Sequence, residues 1–324
     1  MNDEAPPAER PSLFKTSVTF GGLCEVIAFL ALTGTWLGSL GRLHWALDLF
    51  SHFRLPYLAV SAVVLIFSLL RRRTWLVAVA LMSLLWNGQL IYTVHQTAAP
   101  IPASSAKPLR VMTFNIMTSN GNHVACIDHV LEADADIVCI LEVDEFWRLN
   151  LEPLRVKYPH RVEEMNDGNF GIACYTRLPL KSSEVRRLSG FELPTVLLNL
   201  DYLGRPLTFI GTHPIPPMTT ANAAAWHEQL SQISSIAAST DADVILAGDL
   251  NATPWCEGMR RLRRQSGLDF HCVDPAWMPT WGFGRLLLMP IDHVLVKNGL
   301  TITKRTIGPP LGSDHRSVTV EIVR

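Results

Sequence analysis

The sequence predicts an α/β fold, in which two packed β-sheets are flanked by helices, preceded by an N-terminal bundle of about three transmembrane helices. Charged residues make up 18% of the 324 residues, whereas soluble domains usually carry about 25%. The shortage is concentrated before residue 95, where three apolar runs follow one another. Beyond that point, short runs rich in β-forming residues alternate with a few helical stretches, which is typical of packed sheets with covering helices.

The three apolar runs cover residues 18–40, 50–70 and 74–94, after a polar tail at residues 1–17. Their lengths suit a hydrocarbon core of about 30 Å. The second is the weakest, because its strongly apolar part is short. A buried helical bundle is the alternative, but apolar helices without a charged face favour lipid. A cleavable signal peptide is set aside, because the first run is long and two more follow.

The orientation of these helices follows from Arg71, Arg72 and Arg73, which lie between the second and third runs. Short loops rich in Lys and Arg stay in the cytoplasm. The tail is therefore predicted to be cytoplasmic, and the chain after the third run extracytoplasmic. One span more or fewer would invert this topology. Residues 96–108 have the Pro, Ala and Ser composition of a linker.

The remaining residues, 109–324, form the predicted α/β domain. Its helices are predicted at residues 126–133, 222–238 and 256–266. Its strands are predicted at residues 109–115, 137–142, 170–175, 195–200, 207–212, 244–249, 291–296 and 317–322.

Polar residues recur where these predicted strands begin or end. Buried polar groups need hydrogen bonds, ion pairs or a metal, because leaving them unpaired costs kilocalories each. Any single case has an ordinary explanation: a satisfied edge residue, an Asx-turn or a capped turn. As an ordered set they indicate a site. The residues are Asn115, Glu142, His213, Asp249, Asn251, Asp292, Asp314 and His315.

Two global features narrow the function. The five cysteines beyond residue 95 are scattered without a Cys-x-x-Cys pair, so a zinc cluster or a complete disulfide framework is not expected. Residues beyond 94 hold 21 basic and 24 acidic side chains. Such a balance provides no overall positive field for a polyanion, which weakens a nucleic-acid function without excluding it.

The motifs around these residues resemble the endonuclease/exonuclease/phosphatase superfamily, which includes deoxyribonucleases, sphingomyelinases and inositol-polyphosphate phosphatases. The resemblance runs from about residue 109 to 323 and implies a four-layer α/β sandwich that hydrolyses phosphoesters. The matching motifs, in order, are Thr113-Phe114-Asn115, Leu141-Glu142, Gly211-Thr212-His213, Gly248-Asp249-Leu250-Asn251, Ile291-Asp292-His293 and Gly312-Ser313-Asp314-His315.

The resemblance also implies a cofactor, Mg²⁺, with Mn²⁺ as a substitute. Carboxylate and amide oxygens are ligands that such hard cations accept. The implied metal ligands are Asn115, Glu142 and Asp314. No other cofactor is expected.

The remaining members of the set are implied to be catalytic. Asp249 would orient or deprotonate the attacking water, and Asn251 would donate to a phosphate oxygen. His315, held by Asp292, would act as acid, base or phosphate clamp, with His213 as a second imidazole on the phosphate. His293, beside Asp292, is expected to be structural.

The layout resembles a bacterial membrane-anchored subgroup, some of whose members are proposed to act on undecaprenyl-linked phosphates. It implies a multi-pass plasma-membrane protein that contacts the bilayer and hydrolyses a lipid-linked phosphate, diphosphate or phosphodiester. The apolar residues within 279–290 are expected either to form a loop that grips a lipid chain or to form a buried strand. An extracytoplasmic nuclease and a non-catalytic membrane-bound module are the alternatives. The sequence indicates no protein partner.

Overall fold

A computed structural model describes residues 20–95, 107–272, 278–283 and 287–324. The predicted tail at residues 1–17 and most of the predicted linker, residues 96–106, lie outside the described residues. The C-terminal region contains two packed mixed β-sheets flanked by helices, which confirms the predicted fold class at that level. The three predicted membrane spans are a separate question.

The first sheet has six strands in the order β12-β13-β1-β2-β4-β3, and the second has five in the order β11-β8-β7-β6-β5. The β1–β2 and β7–β8 pairs are parallel, and the remaining pairs in the two sheets are antiparallel. The strands are β1 Leu109–Asn115, β2 Ile137–Leu141, β3 His160–Glu164, β4 Ile172–Thr176, β5 Leu180–Leu188, β6 Leu193–Tyr202, β7 Arg205–Thr212, β8 Asp243–Asp249, β9 Trp281–Phe283, β10 Leu287–Met289, β11 Asp292–Lys297, β12 Thr301–Ile307 and β13 Val318–Val323.

The core follows the two-residue period of a strand buried on both faces. In β1, Val111 joins the apolar cluster that includes strands of both sheets, while Met112 and Phe114 pack with residues of the covering helices. Strand β1 contacts β8 and β11 of the opposite sheet. The covering helices are α5 His123–Glu132, α6 Glu145–Asn150, α7 Thr220–Ala238 and α8 Glu257–Ser266.

Three strands that the sequence did not predict, β3, β5 and β12, lie at sheet edges. An edge strand exposes much of its surface, so it lacks a continuous apolar run. Strand β5, with the sequence LKSSEVRRL, is exposed over most of its length. For residues 279–290, the sequence left a lipid-gripping loop and a buried strand as alternatives. The region contains β9 and β10, which form an antiparallel hairpin, and Leu288 in β10 is 47% exposed, so this strand is not fully buried.

The N-terminal region is helical: α1 Phe20–Ser39, α2 Trp45–Leu49, α3 Arg54–Leu70 and α4 Thr74–His95, with a 3-10 turn at Phe50–Phe53. Within the described residues, two stretches are long and apolar enough to cross a membrane by length and composition, Trp45–Leu70 and Thr74–Val94, with mean hydropathies of 2.0 and 1.5. A shorter apolar helix covers Glu25–Ser39. Three spans therefore stay a prediction.

These helices share a polar contact in their interior. The Arg54 side chain, 1% exposed, donates from Nη1 to the Thr35 carbonyl (2.7 Å) and to Asn87 Oδ1 (3.2 Å). Its Nη2 donates to Ser39 Oγ (3.3 Å). Because a buried guanidinium is costly unless its donors are satisfied, these bonds hold α1, α3 and α4 in one arrangement.

Candidate active site

The strand topology explains why distant residues meet. Strands β1 and β2 are parallel, so Asn115, at the end of β1, and Glu142, directly after β2, emerge at the same edge. In the facing sheet, β8 ends at Asp249 and pairs with the first residue of β11, Asp292. His213 directly follows β7, which runs parallel to β8. The site therefore forms where these strand ends of the two packed sheets come together.

Asp249 is the centre of the polar cluster. It is 1% exposed, and its Oδ2 lies 3.4 Å from His213 Nε2 and 3.6 Å from His315 Nε2. Its Oδ1 accepts a hydrogen bond from the Asn251 backbone N–H (2.8 Å). Burial alone raises the pKa of Asp249, but the imidazoles of His315 and His213 outweigh it and lower the pKa to about 2. Asp249 is therefore an anion at neutral pH.

His315 is held by a second buried carboxylate. Its Nδ1 donates to Oδ2 of Asp292 (2.9 Å), a side chain with no exposed surface. Burial lowers the pKa of His315, but the carboxylates of Asp292 and Asp249 outweigh it and raise the pKa to about 10. His315 is therefore an imidazolium fixed in orientation, able to stabilise negative charge or to donate a proton.

The side-chain amides of Asn115 and Asn251 donate hydrogen bonds in and around the cluster. Asn115 Nδ2 donates to Glu142 Oε1 (2.9 Å) and to Asp249 Oδ2 (3.3 Å). Asn251 Nδ2 donates to the Pro214 carbonyl (3.0 Å), which lies on the His213 loop. Asn251 has a φ of 49° and Glu142 a φ of 62°. Both residues thus occupy the sparsely populated left-handed region, which is common at functional sites.

Gly248 permits the close approach of β7 and β8, the two strands that lead to His213 and Asp249. A Cβ atom at this position would lie 1.9 Å from the Thr212 carbonyl oxygen, far inside contact distance. Thr212 and Gly248 immediately precede His213 and Asp249. The absence of a side chain at residue 248 therefore sets the distance between those two catalytic candidates.

Asp314 contacts the β9–β10 hairpin. Its side chain is 45% exposed, and its Oδ2 accepts a hydrogen bond from Trp281 Nε1 (2.8 Å). Backbone bonds reinforce this contact, from Gly282 N to the Asp314 carbonyl (3.1 Å) and from Arg316 N to the Thr280 carbonyl (2.7 Å). The hairpin is thereby fixed beside the last motif.

The predicted metal ligands fit a hard divalent cation. Glu142, half-buried in the same cleft as Asp314, accepts from Asn115 Nδ2 and from Thr118 N (3.3 Å), which leaves carboxylate lone pairs free for a cation. Asn115 presents its amide nitrogen to Glu142, while its Oδ1 accepts from Met117 N (3.1 Å). Asn115 as a direct ligand stays a prediction; its observed contact positions Glu142.

A second set of donor atoms also lies together: Asp249, Asp292 and His315 bring one atom each within 4.8 Å of one another. A protonated imidazole has no lone pair for a cation. We therefore assign these atoms to the hydrogen bond between Asp292 and His315 and to the ion pair between His315 and Asp249.

All eight predicted site residues lie in this region, and six of them line one cleft of about 760 Å³. Those six are Glu142, His213, Asp249, Asn251, Asp314 and His315. Asn115 and Asp292 lie directly behind them. His293 points away from the cluster: its Nε2 bonds the Ala252 carbonyl (2.7 Å), and burial lowers its pKa to about 3. This geometry is that of the structural residue expected from the sequence.

Part of the cleft was not predicted from the sequence. Its apolar lining includes Phe170, Met218 and Ile291, and two further apolar residues, Leu49 and Phe53, come from the N-terminal helices. The Pro-rich motif after His213 was a usable signal for the 216–218 wall. For Leu49 and Phe53 no local pattern was available, because they reach the cleft across about 200 residues of sequence.

Comparison with known proteins identifies the class to which this fold and site belong. The model of the Endonuclease/Exonuclease/phosphatase family matches residues 112–315, and the chain therefore belongs to this family. Members of the family are metal-dependent hydrolases that act on phosphoester bonds, and this chain is such an enzyme. Among curated proteins, none matches the sequence.

Solved structures share the fold at low identity. TDP2 of D. rerio, complexed with a single-strand DNA product, is 14% identical with a TM-score of 0.56, over 68% of this chain and 100% of that chain. Sphingomyelinase C of Streptomyces griseocarneus is 17% identical with a TM-score of 0.51, over 67% and 99%. A family protein of Beutenbergia cavernae is 20% identical with a TM-score of 0.55, over 67% and 72%.

Proposed function

We propose that the protein is a membrane-tethered, Mg²⁺-dependent hydrolase of a lipid-linked phosphate, diphosphate or phosphodiester, in a bacterial membrane-anchored subgroup of its family. The observation that supports this substrate class is the composition of the cleft. The cleft is lined both by charged and polar side chains, including Asp249 and His315, and by apolar side chains such as Phe170 and Met218. A phosphate joined to a hydrocarbon chain matches both kinds of lining.

The polar side chains suit phosphoester hydrolysis. Asp249, ionised and next to two imidazoles, would orient the attacking water or accept its proton. His315, cationic and held by Asp292, would neutralise the charge that develops on the phosphoryl oxygens, with His213 and Asn251 as further donors. A divalent cation held by Glu142 and Asp314, with Asn115 beside them, would supply Lewis-acid stabilisation of the same charge.

The proposed location is the extracytoplasmic face of the plasma membrane. Arg73 lies 3.7 Å from Glu25 of α1, so the loop between α3 and α4 is near the start of α1. Helix α3 has 17 residues, about 25 Å at 1.5 Å per residue. Its other end adjoins the C-terminal region. If the arginine loop is cytoplasmic by the positive-inside rule, residues 1–17 are a cytoplasmic tail, residues 96–108 a linker and residues 109–324 an external catalytic domain.

The test is an assay of the full-length protein in detergent on a polyprenyl diphosphate and on phospholipids with Mg²⁺. Asp249→Ala and His315→Ala are each expected to reduce turnover by roughly 10²–10⁴-fold, the usual contribution of acid–base groups. Asp241→Ala is the matched control, because this exposed carboxyl lies just before the other end of β8. Full activity in both site variants would refute the assigned roles.

An extracytoplasmic nuclease is the second candidate, favoured by the shared fold with TDP2 of D. rerio, which was solved with a DNA product. Plasmid and single-stranded DNA belong in the same assay. Cleavage of DNA with steep salt dependence, without cleavage of any lipid substrate, would favour the nuclease.

A further inference from the structure

The segment that joins α1 to α3, residues 40–53, is attached to the catalytic domain by a buried carboxylate. Asp48, 7% exposed, accepts hydrogen bonds from the backbone N–H of Glu257 at 2.9 Å (Oδ1) and 3.1 Å (Oδ2). The Gly258 N–H lies 3.4 Å from its Oδ2. These N–H groups begin α8, so the anion occupies the positive end of a ten-residue helix. We call residues 40–53 the connecting segment.

A second contact fixes the connecting segment to the loop that carries Asn251. The Thr253 backbone N–H donates to His52 Nδ1 (3.2 Å), and the Thr253 hydroxyl lies 3.1 Å from the same atom. Thr253 is two residues beyond Asn251. Both attachment points of the connecting segment are thus in the stretch that follows β8 and Asp249.

The connecting segment also packs closely on α1, so its position is defined from both sides. A Cβ at Gly38 of α1 would lie 2.7 Å from Ser51 N. Within the segment itself, a Cβ at Gly41 would lie 2.5 Å from Asp48 Oδ1. Ser51 Oγ donates to the Asp48 carbonyl (2.6 Å). A segment held at this many points can present its side chains to the cleft in a fixed arrangement.

Leu49 and Phe53 are the apolar side chains that this segment contributes to the cleft. Both are partly buried, and they share the cleft with Asp249 and the two imidazoles. Helix α3, within the candidate span Trp45–Leu70, begins at the next residue. The cleft lining therefore extends from the phosphate-handling residues to the start of α3, within the candidate span Trp45–Leu70.

We propose that Leu49 and Phe53 are specificity-determining residues that bind the hydrocarbon chain of the substrate next to its phosphate. The helical region is then a part of the substrate site as well as an anchor. This inference rests on the proposed function, because it assumes a lipid-linked phosphate. Apolar contact of this kind strengthens with chain length and is indifferent to the phosphate chemistry.

The experiment compares full-length Phe53→Ala and Leu49→Ala with the unaltered protein in detergent. Phe50→Ala is the matched control: Phe50 is in the same 3-10 turn and is 38% exposed, but it does not line the cleft. Each protein is assayed on a long-chain phospholipid and on bis(p-nitrophenyl) phosphate. We expect roughly tenfold lower kcat/KM on the phospholipid for the two cleft variants and a smaller reduction on the soluble ester, which has no long hydrocarbon chain.

Inhibition provides a second measurement that needs no lipid turnover. Decyl phosphate, below its micelle concentration, is expected to inhibit soluble-ester hydrolysis by the unaltered protein at least tenfold more strongly than ethyl phosphate. Phe53→Ala and Leu49→Ala should reduce that ratio, whereas Phe50→Ala should preserve it. Equal ratios in all four proteins would overturn the inference, even if a variant were less stable.

The outcomes distinguish failure of the proposed function from failure of the inference about Leu49 and Phe53. If the unaltered protein hydrolyses the soluble ester but no lipid-linked substrate, and shows no preference for decyl phosphate, the proposed function and this inference both fail. If it hydrolyses the phospholipid and the cleft variants match Phe50→Ala, the proposed function stands and this inference alone is refuted. Asp48→Asn, which weakens the attachment, is expected to reduce phospholipid activity selectively in the same way.

Discussion

Replacement of Gly248 by alanine tests whether the distance between β7 and β8 controls catalysis. The added Cβ would lie 1.9 Å from the Thr212 carbonyl oxygen and 3.0 Å from the Thr212 carbonyl carbon. Carbon–oxygen contacts are usually about 3.3 Å or longer. The two backbones must therefore separate by about 1.4 Å at this point, because neither clashing atom belongs to a flexible side chain.

The expected effect is larger on activity than on folding. The separation displaces His213 and Asp249, whose Nε2 and Oδ2 atoms are 3.4 Å apart. A misplacement of about 1 Å can reduce the rate about 10²-fold. Overpacking of this kind usually lowers the free energy of unfolding by about 1–3 kcal/mol. The measurements are kcat/KM on bis(p-nitrophenyl) phosphate with Mg²⁺, and urea-induced unfolding.

Gly190→Ala is the control for this prediction, because a Cβ at residue 190 has no heavy atom within 4 Å. It should leave both activity and stability unchanged. If Gly248→Ala behaved like Gly190→Ala, the close approach of the two strands would not be required, and the reasoning from their separation would be wrong.

Three further predictions concern the metal site and the thiols. Removing divalent cations with EDTA should abolish hydrolysis and adding Mg²⁺ or Mn²⁺ should restore it; undiminished turnover in excess EDTA would contradict this. Trp281→Phe removes the hydrogen-bond donor to Asp314 (2.8 Å) and should raise the Mg²⁺ concentration for half-maximal activity about tenfold. Trp75→Phe, on the exposed surface of α4, is the control and should leave that concentration unchanged. Cys126, Cys139, Cys174, Cys256 and Cys272 are buried, and burial raises the pKa of Cys126 to about 11. In a protein that carries Cys24→Ser, an aromatic disulfide reagent at pH 8 should therefore react with thiols only after denaturation.

The sequence predicted which polar residues lie together better than it predicted what surrounds them. Asp249 and His315 stand in short motifs at the ends of buried strands, and that local pattern is visible in the chain. The edge strand β5 was missed because most of its residues face solvent. Its sequence therefore lacks the alternation of apolar and polar residues that marks a half-buried strand.

Contacts between distant parts of the chain were also beyond prediction. The attachment of Asp48 to Glu257 joins residues 209 positions apart, and nothing in either local sequence indicates the other. The orientation of Asn115, with its amide nitrogen toward Glu142, likewise depends on a hydrogen bond from Met117 that periodicity does not reveal.

The place of β13 in the first sheet has a consequence for biosynthesis. This strand lies between β12 and β1, and Leu109 pairs with Ile322. Until β13 has emerged from the ribosome, β1 has one open side and the Asn115 end of the site lacks its neighbour. Contacts between residues so far apart in sequence form slowly. A nascent chain interrupted shortly before β13 should therefore be an inactive, protease-sensitive product, even though it already contains every residue of the candidate active site.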